Sequence, residues 1–390
     1  MKYTFYLILI TQLLFSQKKT ITIIDNSTSL PIENVNVFYS NLGEGTFTNS
    51  EGKASINIKA NDLKITNINY EGLIVKPNFL ISIDTIRITQ KATVLDEVIV
   101  NSFNLNKAIK YILENYSNLY VNTPFEKECE FKDIVTVNNQ LRRLILTKVN
   151  WWDKSYERKK NDVKLRLGAI DYNKNEPFGI FTDVPRLNSA SKNGYTTPSS
   201  IINTIYLNTL LNSLMPLIAD INVIIEDSPS DIIVLSFETE WVKNNSFSNK
   251  IKGQFIFDKL SKAIIEIHYD VNHKDNVEKG IVKENNKESK RETKKSTLRM
   301  TFDKTLSNKW SLKSYESNAE LDVTYDNKIN NLVFKNSIFV LKETAVKKVD
   351  NDGLIDLTKP IFQSLPSKTI SNSNSILLTE EERKFIYSSK

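Results

Sequence analysis

The sequence predicts a mainly β protein of two modules: an N-terminal β-sandwich, a linking helix, and a larger antiparallel, curved β-sheet domain with minor helices. Three observations carry this expectation. From residue 18 almost to residue 100, short runs rich in β-branched residues alternate apolar and polar with a period of two. The alternation returns from about residue 124 in longer runs, and between the two regions one stretch switches to helical spacing.

Before the first strand, residues 1–17 read "MKYTFYLILITQLLFSQ". Lys2 supplies a minimal positive region, Tyr3 to Leu14 an apolar core, and Ser16 a small residue near a cut at Ser16 or Gln17. That is the layout of a secretory signal, too short to span a bilayer comfortably. No cysteine follows the apolar core, so lipid attachment at a new N-terminus is not expected, nor is a transmembrane helix after cleavage. The composition of the full 390-residue chain is globular, with 40% hydrophobic and 25% charged residues. The net charge of +6 comes from basic residues interleaved with acids rather than gathered in a stripe, which argues against nucleic acid as a partner.

The sandwich is expected over residues 18–101. The runs "TITIID", "NVNVFYS", "KASINIK", "LKITNINY" and "DTIRITQ" are separated by the turn formers "NSTSLP", "NLGEGT", "NSEG" and the "EG" at 71–72. Val35, Val37 and Tyr39 share one face and Asn34, Asn36 and Phe38 the other, so each run buries one side, and a small antiparallel sandwich satisfies them all. The linking helix is expected over 102–120, with Leu105, Ala108, Ile109, Ile112, Leu113 and Tyr116 on one face and Asn104 as N-cap.

The sheet domain is expected over 121–350. "FEKECEFKDIVTV" places Phe125, Lys127, Cys129 and Phe131 on one face. Cys129 is the single cysteine, so it forms no internal disulfide and packs as a small hydrophobe. "GQFIFDKLSKAIIEIHY" reads as a hairpin turning at "DKLS", with Ile265, Ile267 and Tyr269 on one side. Residues 199–215 read as one helix through Ile201, Ile202, Ile205, Leu210, Leu211 and Leu214, stopped by Pro216. The charged stretch "EKGIVKENNKESKRETKKS" (278–296) reads as a solvated loop. Residues 351–390 form a tail with a short helix in "LTEEERKFIYSSK".

With these elements placed, the first module resembles the carboxypeptidase-regulatory-like domain, a transthyretin-type (Ig-like) β-sandwich of Gram-negative envelope proteins. The residues that carry the resemblance are Asp25 closing a strand, Pro31 in the next turn, Gly45 with Thr46, and Thr48 with Gly52. Thr20, and Asn69 before Tyr70, stand where the family often has glycine. The helix ending in Asn115 and Tyr116 is similar to one that introduces a second domain in such proteins, and the later meander resembles the half-barrel sheets of periplasmic lipoprotein carriers. The resemblance implies a periplasmic, outer-membrane-associated or cell-surface location, and implies no peptidase activity, since the sandwich is not a catalytic domain.

A search for chemistry yields no catalytic, cofactor or metal assignment. His268, Asp270, His273 and Asp275 lie within eight residues, but His268 and Asp270 share a strand face while His273 falls in the following loop, so they do not converge on an ion. No G-x-S-x-G, G-x-x-x-x-G-K or G-x-G-x-x-G motif occurs, and neither histidine has a recognisable local nucleophile. Trp151, Trp152, Trp241, Trp310, Tyr156 and Tyr172 read as packing residues before they read as a sugar- or lipid-binding face. Asp96 and Glu97 in "LDEVIV" point to opposite sides of a strand and cannot act as an acid–base pair. In TonB-dependent receptors a similar segment follows the same sandwich, so Leu95, Asp96, Glu97, Val98, Ile99 and Val100 are the candidate partner-docking strand. The leading expectation is a non-enzymatic exported envelope protein whose β-rich domain binds or supports another envelope protein, a glycan or a lipid. The second is a lipophilic-ligand carrier or sensor with a cavity under the helix at 199–215, and the third a hydrolase undetected by motif. An integral outer-membrane barrel is a fourth option, set against by the polar interruptions of the strands.

Overall fold

The structure is a computed structural model that describes residues 18–39, 42, 44–67, 69–91, 104–158, 162–175, 197–218, 221, 223–226, 231–244, 246–282, 287–305, 307–365, 369–370 and 376–388. The apolar N-terminal stretch and the 95–100 segment lie outside the described residues. The fold is mainly β, and contacts divide the chain into two compact units.

The first unit is a two-sheet sandwich. One sheet orders β4 (Lys53–Asn57), β1 (Lys18–Asp25) and β7 (Thr85–Ile88); the other orders β3 (Glu44–Phe47), β2 (Asn36–Tyr39), β5 (Leu63–Asn67) and β6 (Tyr70–Val75). Alternation delivers the core: Ile21, Ile23, Val35, Val37, Tyr39, Ala54, Ile56, Leu63, Ile65, Ile86 and Ile88 are all buried in one cluster. Two expectations are corrected. The sandwich is not wholly antiparallel, because β7 runs parallel to β1. The parallel return from β1 to β7 is possible because the whole second sheet lies between them in the chain, followed by helix α1 (Pro77–Ser82), which buries Leu80. Residues 71–72 are not a turn but part of β6, where a Cβ on Gly72 would meet nothing closer than 3.9 Å.

The residues that carry the family resemblance perform turn chemistry. The Asp25 carboxylate accepts from the Ser27 and Thr28 amides at 2.7 and 2.8 Å and from the Tyr70 hydroxyl at 2.9 Å. These bonds to its charged form, that from the Ser27 hydroxyl foremost, hold its pKa well below the usual range. Thr48 Oγ1 accepts from the Val35 amide at 2.9 Å and donates to the Ile32 carbonyl at 2.7 Å. The last helix of the chain, here α6 (Glu380–Tyr387), belongs to this unit. Thr379 and Glu382 cap it reciprocally, Ile376, Leu378 and Ile386 are buried, and Asn49 Nδ2 donates to the Leu377 carbonyl at 3.2 Å.

The second unit is built on a thirteen-stranded curved sheet. Its principal path runs β11 (Val223–Glu226), β12 (Ile232–Glu238), β14 (Phe247–Asp258), β15 (Ile264–Lys274), β17 (Lys287–Lys304), β18 (Trp310–Tyr325), β19 (Lys328–Ala345), β8 (Phe125–Val137), β9 (Gln140–Asp153), β10 (Lys164–Asn175) and β20 (Thr369–Ile370). Two short strands pair off the path, β13 (Val242–Asn244) with β14 and β16 (Val277–Val282) with β17. The "DKLS" hairpin joins β14 to β15. Helices α2 (Leu105–Glu114), α3 (Tyr116–Leu119), α4 (Pro198–Ile205) and α5 (Leu207–Ile218) pack on one face, called here the inner face. Asn104 caps α2 through a 2.9 Å bond from the Lys107 amide. The joint core contains Ile109, Ile112, Phe125, Cys129, Phe131, Trp151, Ile205, Leu211, Phe255, Ile267, Leu298 and Met300.

Three further corrections concern this unit. Residues 278–296 are not a loop, because most of them form β16 and β17. The charges that suggested solvation sit on an extended ladder and pair along it, Lys290 and Lys294 reaching Glu292 at 3.0 and 2.6 Å. The helix at 199–215 is two helices meeting at a 68° bend. Tyr206 is extended at the break because its hydroxyl donates to the buried Asp153 carboxylate, and Pro216 falls inside the last turns of α5 instead of ending it. His273 is not in a loop but in β15, paired with Asn249 of β14.

No single helix among the described residues is long and apolar enough to cross a membrane, although α4 and α5 together pass that test by length and composition. Their apolar residues Ile201, Ile205, Leu207, Leu210, Leu211, Leu214 and Ile218 are buried in the core.

Candidate functional site

On the inner face the helices stop short of the strands. α4 reaches Tyr315 of β18, where Thr204 Oγ1 and the Tyr315 hydroxyl lie 2.6 Å apart. β17 and β19 run for 18 residues each and β18 for 16, so their far ends extend past this contact. Those ends carry a separate apolar cluster of Leu321, Val323 and Leu332, flanked by Val137 and Phe334. Between that cluster and α4 the inner-face positions are short: Ser296 on β17, then Ser317 and Ala319 on β18. Short side chains in a row that is otherwise large leave a cleft of about 410 Å³.

The cleft has two chemical zones. Ile201, Val271, Leu298, Leu321, Phe334 and the Tyr269 and Tyr315 rings form apolar walls, while Ser200, Thr204, Ser296, Ser317, Asn336 and Arg291 supply polar groups. Burial pushes the Tyr269 and Tyr315 hydroxyls up, so both stay neutral donors. Arg291 makes no ion pair among the described residues, and its buried Nε has no hydrogen-bond partner, although Glu278 stands opposite it on β16. An apolar pocket with a few placed polar groups is the usual form of a small-molecule site.

His273 borders this cleft through Ser296. Its Nε2 is 2.9 Å from Ser296 Oγ and its Nδ1 is 2.8 Å from Asn249 Oδ1. Asn249 Oδ1 can only accept, so Nδ1 carries the proton and Nε2 accepts from the serine hydroxyl. Asn276 Nδ2, at 3.5 Å from Nδ1, is too distant to compete. Burial holds the imidazole below its usual pKa and therefore neutral at pH 7.

The other histidine lies apart from this group. His268 is on the opposite face of β15, 3.7 Å from Asp270, which in turn pairs with Lys295 at 2.7 Å. Burial lowers its pKa, opposed by Asp270. Among the described residues no three His, Cys, Asp or Glu side chains are grouped to hold a metal.

The aromatic candidates divide. Trp151, Trp152, Trp310, Tyr156 and Tyr172 are buried, and Trp151 meets Tyr206 edge-on at 6.2 Å, which is packing; Trp241 is 47% exposed. Cys129 is 2% exposed and borders a second, mostly apolar cavity of about 50 Å³ under α4, too small for a lipid chain. No nucleophile lies near either histidine in sequence, but Ser296, 23 residues away, is brought to His273 by the pairing of β15 with β17. The available signal was strand parity, since His273 shares its side with Ile267, Tyr269 and Val271.

No known family matches the chain, and no curated protein does. A crystal structure of Pseudomonas aeruginosa OpdL aligns over 57% of this chain and 98% of its own length at 6% identity. The TM-score is 0.11, too low to bear on fold or function.

Proposed function

We propose that this chain is an exported envelope protein whose second unit binds a compact amphipathic ligand in the inner-face cleft. The observation that carries the reading is the 410 Å³ volume itself, lined by apolar walls and by polar groups that include a guanidinium without an ion pair among the described residues. That volume is within the range of small-molecule sites, roughly 300 to 1,000 Å³. Export is supported by the apolar N-terminal stretch, and an envelope setting by the resemblance of the first module's sequence to the regulatory-like sandwich. Residues 95–100 remain the proposed docking segment for an envelope partner.

The test is titration of the purified full chain with a fluorescent anionic fatty acid. Saturable binding is expected, reduced at least tenfold in Ala319→Phe, which fills the floor of the cleft without touching the buried core. Unchanged binding in that variant would remove the cleft from the reading. Fractionation of producing cells, with the mature N-terminus read by mass spectrometry, tests export.

A further inference from the structure

We infer that Ser296, His273 and Asn249 form an acyl-transfer site, which makes the cleft the substrate pocket of an esterase acting on an anionic amphiphile. The inference rests on the binding reading for its pocket and goes beyond it in assigning a reaction. Three adjacent strands present the three side chains: Asn249 from β14, His273 from β15 and Ser296 from β17. The order of contacts is that of a nucleophile, its base and the group orienting the base, at 2.9 and 2.8 Å. A row of polar residues that served packing alone would have no need of an opening, but Ser296 itself lines the cleft.

Local backbone supports the assignment. In β17 the pairing with β18 slips between Thr293 and Lys295, so Lys294 has no opposite residue in the registers with either neighbour. Bulges of this kind re-aim side chains and are over-represented beside active sites. Without the slip, Ser296 and Arg291 would lie on opposite faces; with it, both line the cleft. Their partners on β18, Ala319 and Val323, are four residues apart, which is about 13 Å at roughly 3.3 Å per residue. A substrate with its ester at Ser296 and its anionic group toward Arg291 spans that distance past the apolar side chains of Phe334 and Leu321.

The step balances without a cofactor. Ser296 Oγ gives its proton to His273 Nε2 as the Oγ–acyl carbon bond forms, and the imidazolium returns that proton to the departing alkoxide as the ester bond breaks. Water then attacks the acyl-enzyme, His273 taking a proton from it and passing it back to Ser296 Oγ as the carboxylic acid leaves. Asn249 is a positioning residue, holding the tautomer that leaves Nε2 free to accept.

The experiment combines a fluorophosphonate probe with hydrolysis of a p-nitrophenyl ester of a dicarboxylic acid by the full chain. Expected are a probe adduct mapped to Ser296, hydrolysis reduced at least a hundredfold in Ser296→Ala and His273→Gln, and partial loss in Asn249→Ala that Asn249→Asp restores. Arg291→Gln should raise KM for the anionic ester and leave an uncharged ester unaffected. Absence of an adduct at Ser296, or hydrolysis undiminished in Ser296→Ala, overturns the inference. Fatty-acid binding by Ser296→Ala separates the two readings. If that variant still binds and Ala319→Phe does not, the binding reading stands even where hydrolysis is absent. Thermal unfolding of each variant, expected within a few degrees of the parent, excludes misfolding as the cause of lost activity.

Discussion

Replacing Gly52 with alanine isolates the strain at the turn that closes the first sandwich. Gly52 sits at φ +69°, and an added Cβ would lie 2.4 Å from the Ile23 carbonyl oxygen and 3.0 Å from Pro31 Cβ. The left-handed conformation costs a residue with a Cβ about 1 to 2 kcal/mol, offset by about 0.7 kcal/mol from the stiffer unfolded chain. The carbonyl must also retreat by about 1 Å to reach ordinary contact, and it accepts a 3.1 Å bond from the Ile32 amide. Losing that bond adds about 1 kcal/mol, and crowding against Pro31 a comparable amount, for a total near 3 kcal/mol. Gly353 is the control: its φ is +68°, yet nothing lies within 4 Å of its Cβ position. Gly353→Ala should therefore cost only about 1 kcal/mol. Calorimetry of the full chain reads the difference, with the transition of the sandwich moved down by roughly 10 to 20 °C in Gly52→Ala. Equal losses in the two variants would refute the steric part of the reasoning, and no loss in either would refute the conformational part.

Two further outcomes follow from buried ionisable groups. Arg143 Nε is 2.9 Å from Asp133 in the interior of the second unit, where burial raises the Asp133 pKa against the opposing effect of Arg143. Arg143→Met strands that carboxyl and should destabilise the protein by about 3 to 5 kcal/mol in denaturant unfolding, while adding Asp133→Leu should recover most of the loss; a double variant as unstable as the single one would contradict this. Burial lowers both histidines below the unfolded value of 6.5. The unfolded chain therefore takes up protons first as pH falls, and stability should decline from about pH 6.5 downward through the folded values. Replacing His273 with glutamine should flatten part of that decline in urea midpoints measured from pH 7.5 to 5.

Most of the first sandwich was legible because one buried side per strand leaves a period-two trace, as in Val35, Val37 and Tyr39. The parallel pairing of β7 was not, since strand direction depends on where the chain returns and β7 shows the same alternation either way. The 278–296 stretch misled for a related reason. A strand needs main-chain partners on its edges more than apolar side chains, and Lys–Glu pairs along a ladder look from sequence like solvated loop. The break at Tyr206 comes from a tertiary bond to Asp153 that no local pattern announces. At the cleft, His273 and Ser296 were each visible, but their meeting depends on the register of β15 against β17. The slip at Lys294, which decides the side Arg291 faces, leaves no mark in residue type.

The seating of Leu377 on Asn49 spans 328 positions of chain. Synthesis delivers these residues of the first unit only after the whole second unit has been made. Assembly from the N-terminus onward therefore cannot finish that sandwich during synthesis. Its buried Ile376, Leu378 and Ile386 join only in a late closure, whose entropic cost grows slowly with the length bridged. A chain interrupted before Ile376 would carry a first unit without these three buried side chains, a mark of incompleteness open to quality-control proteases.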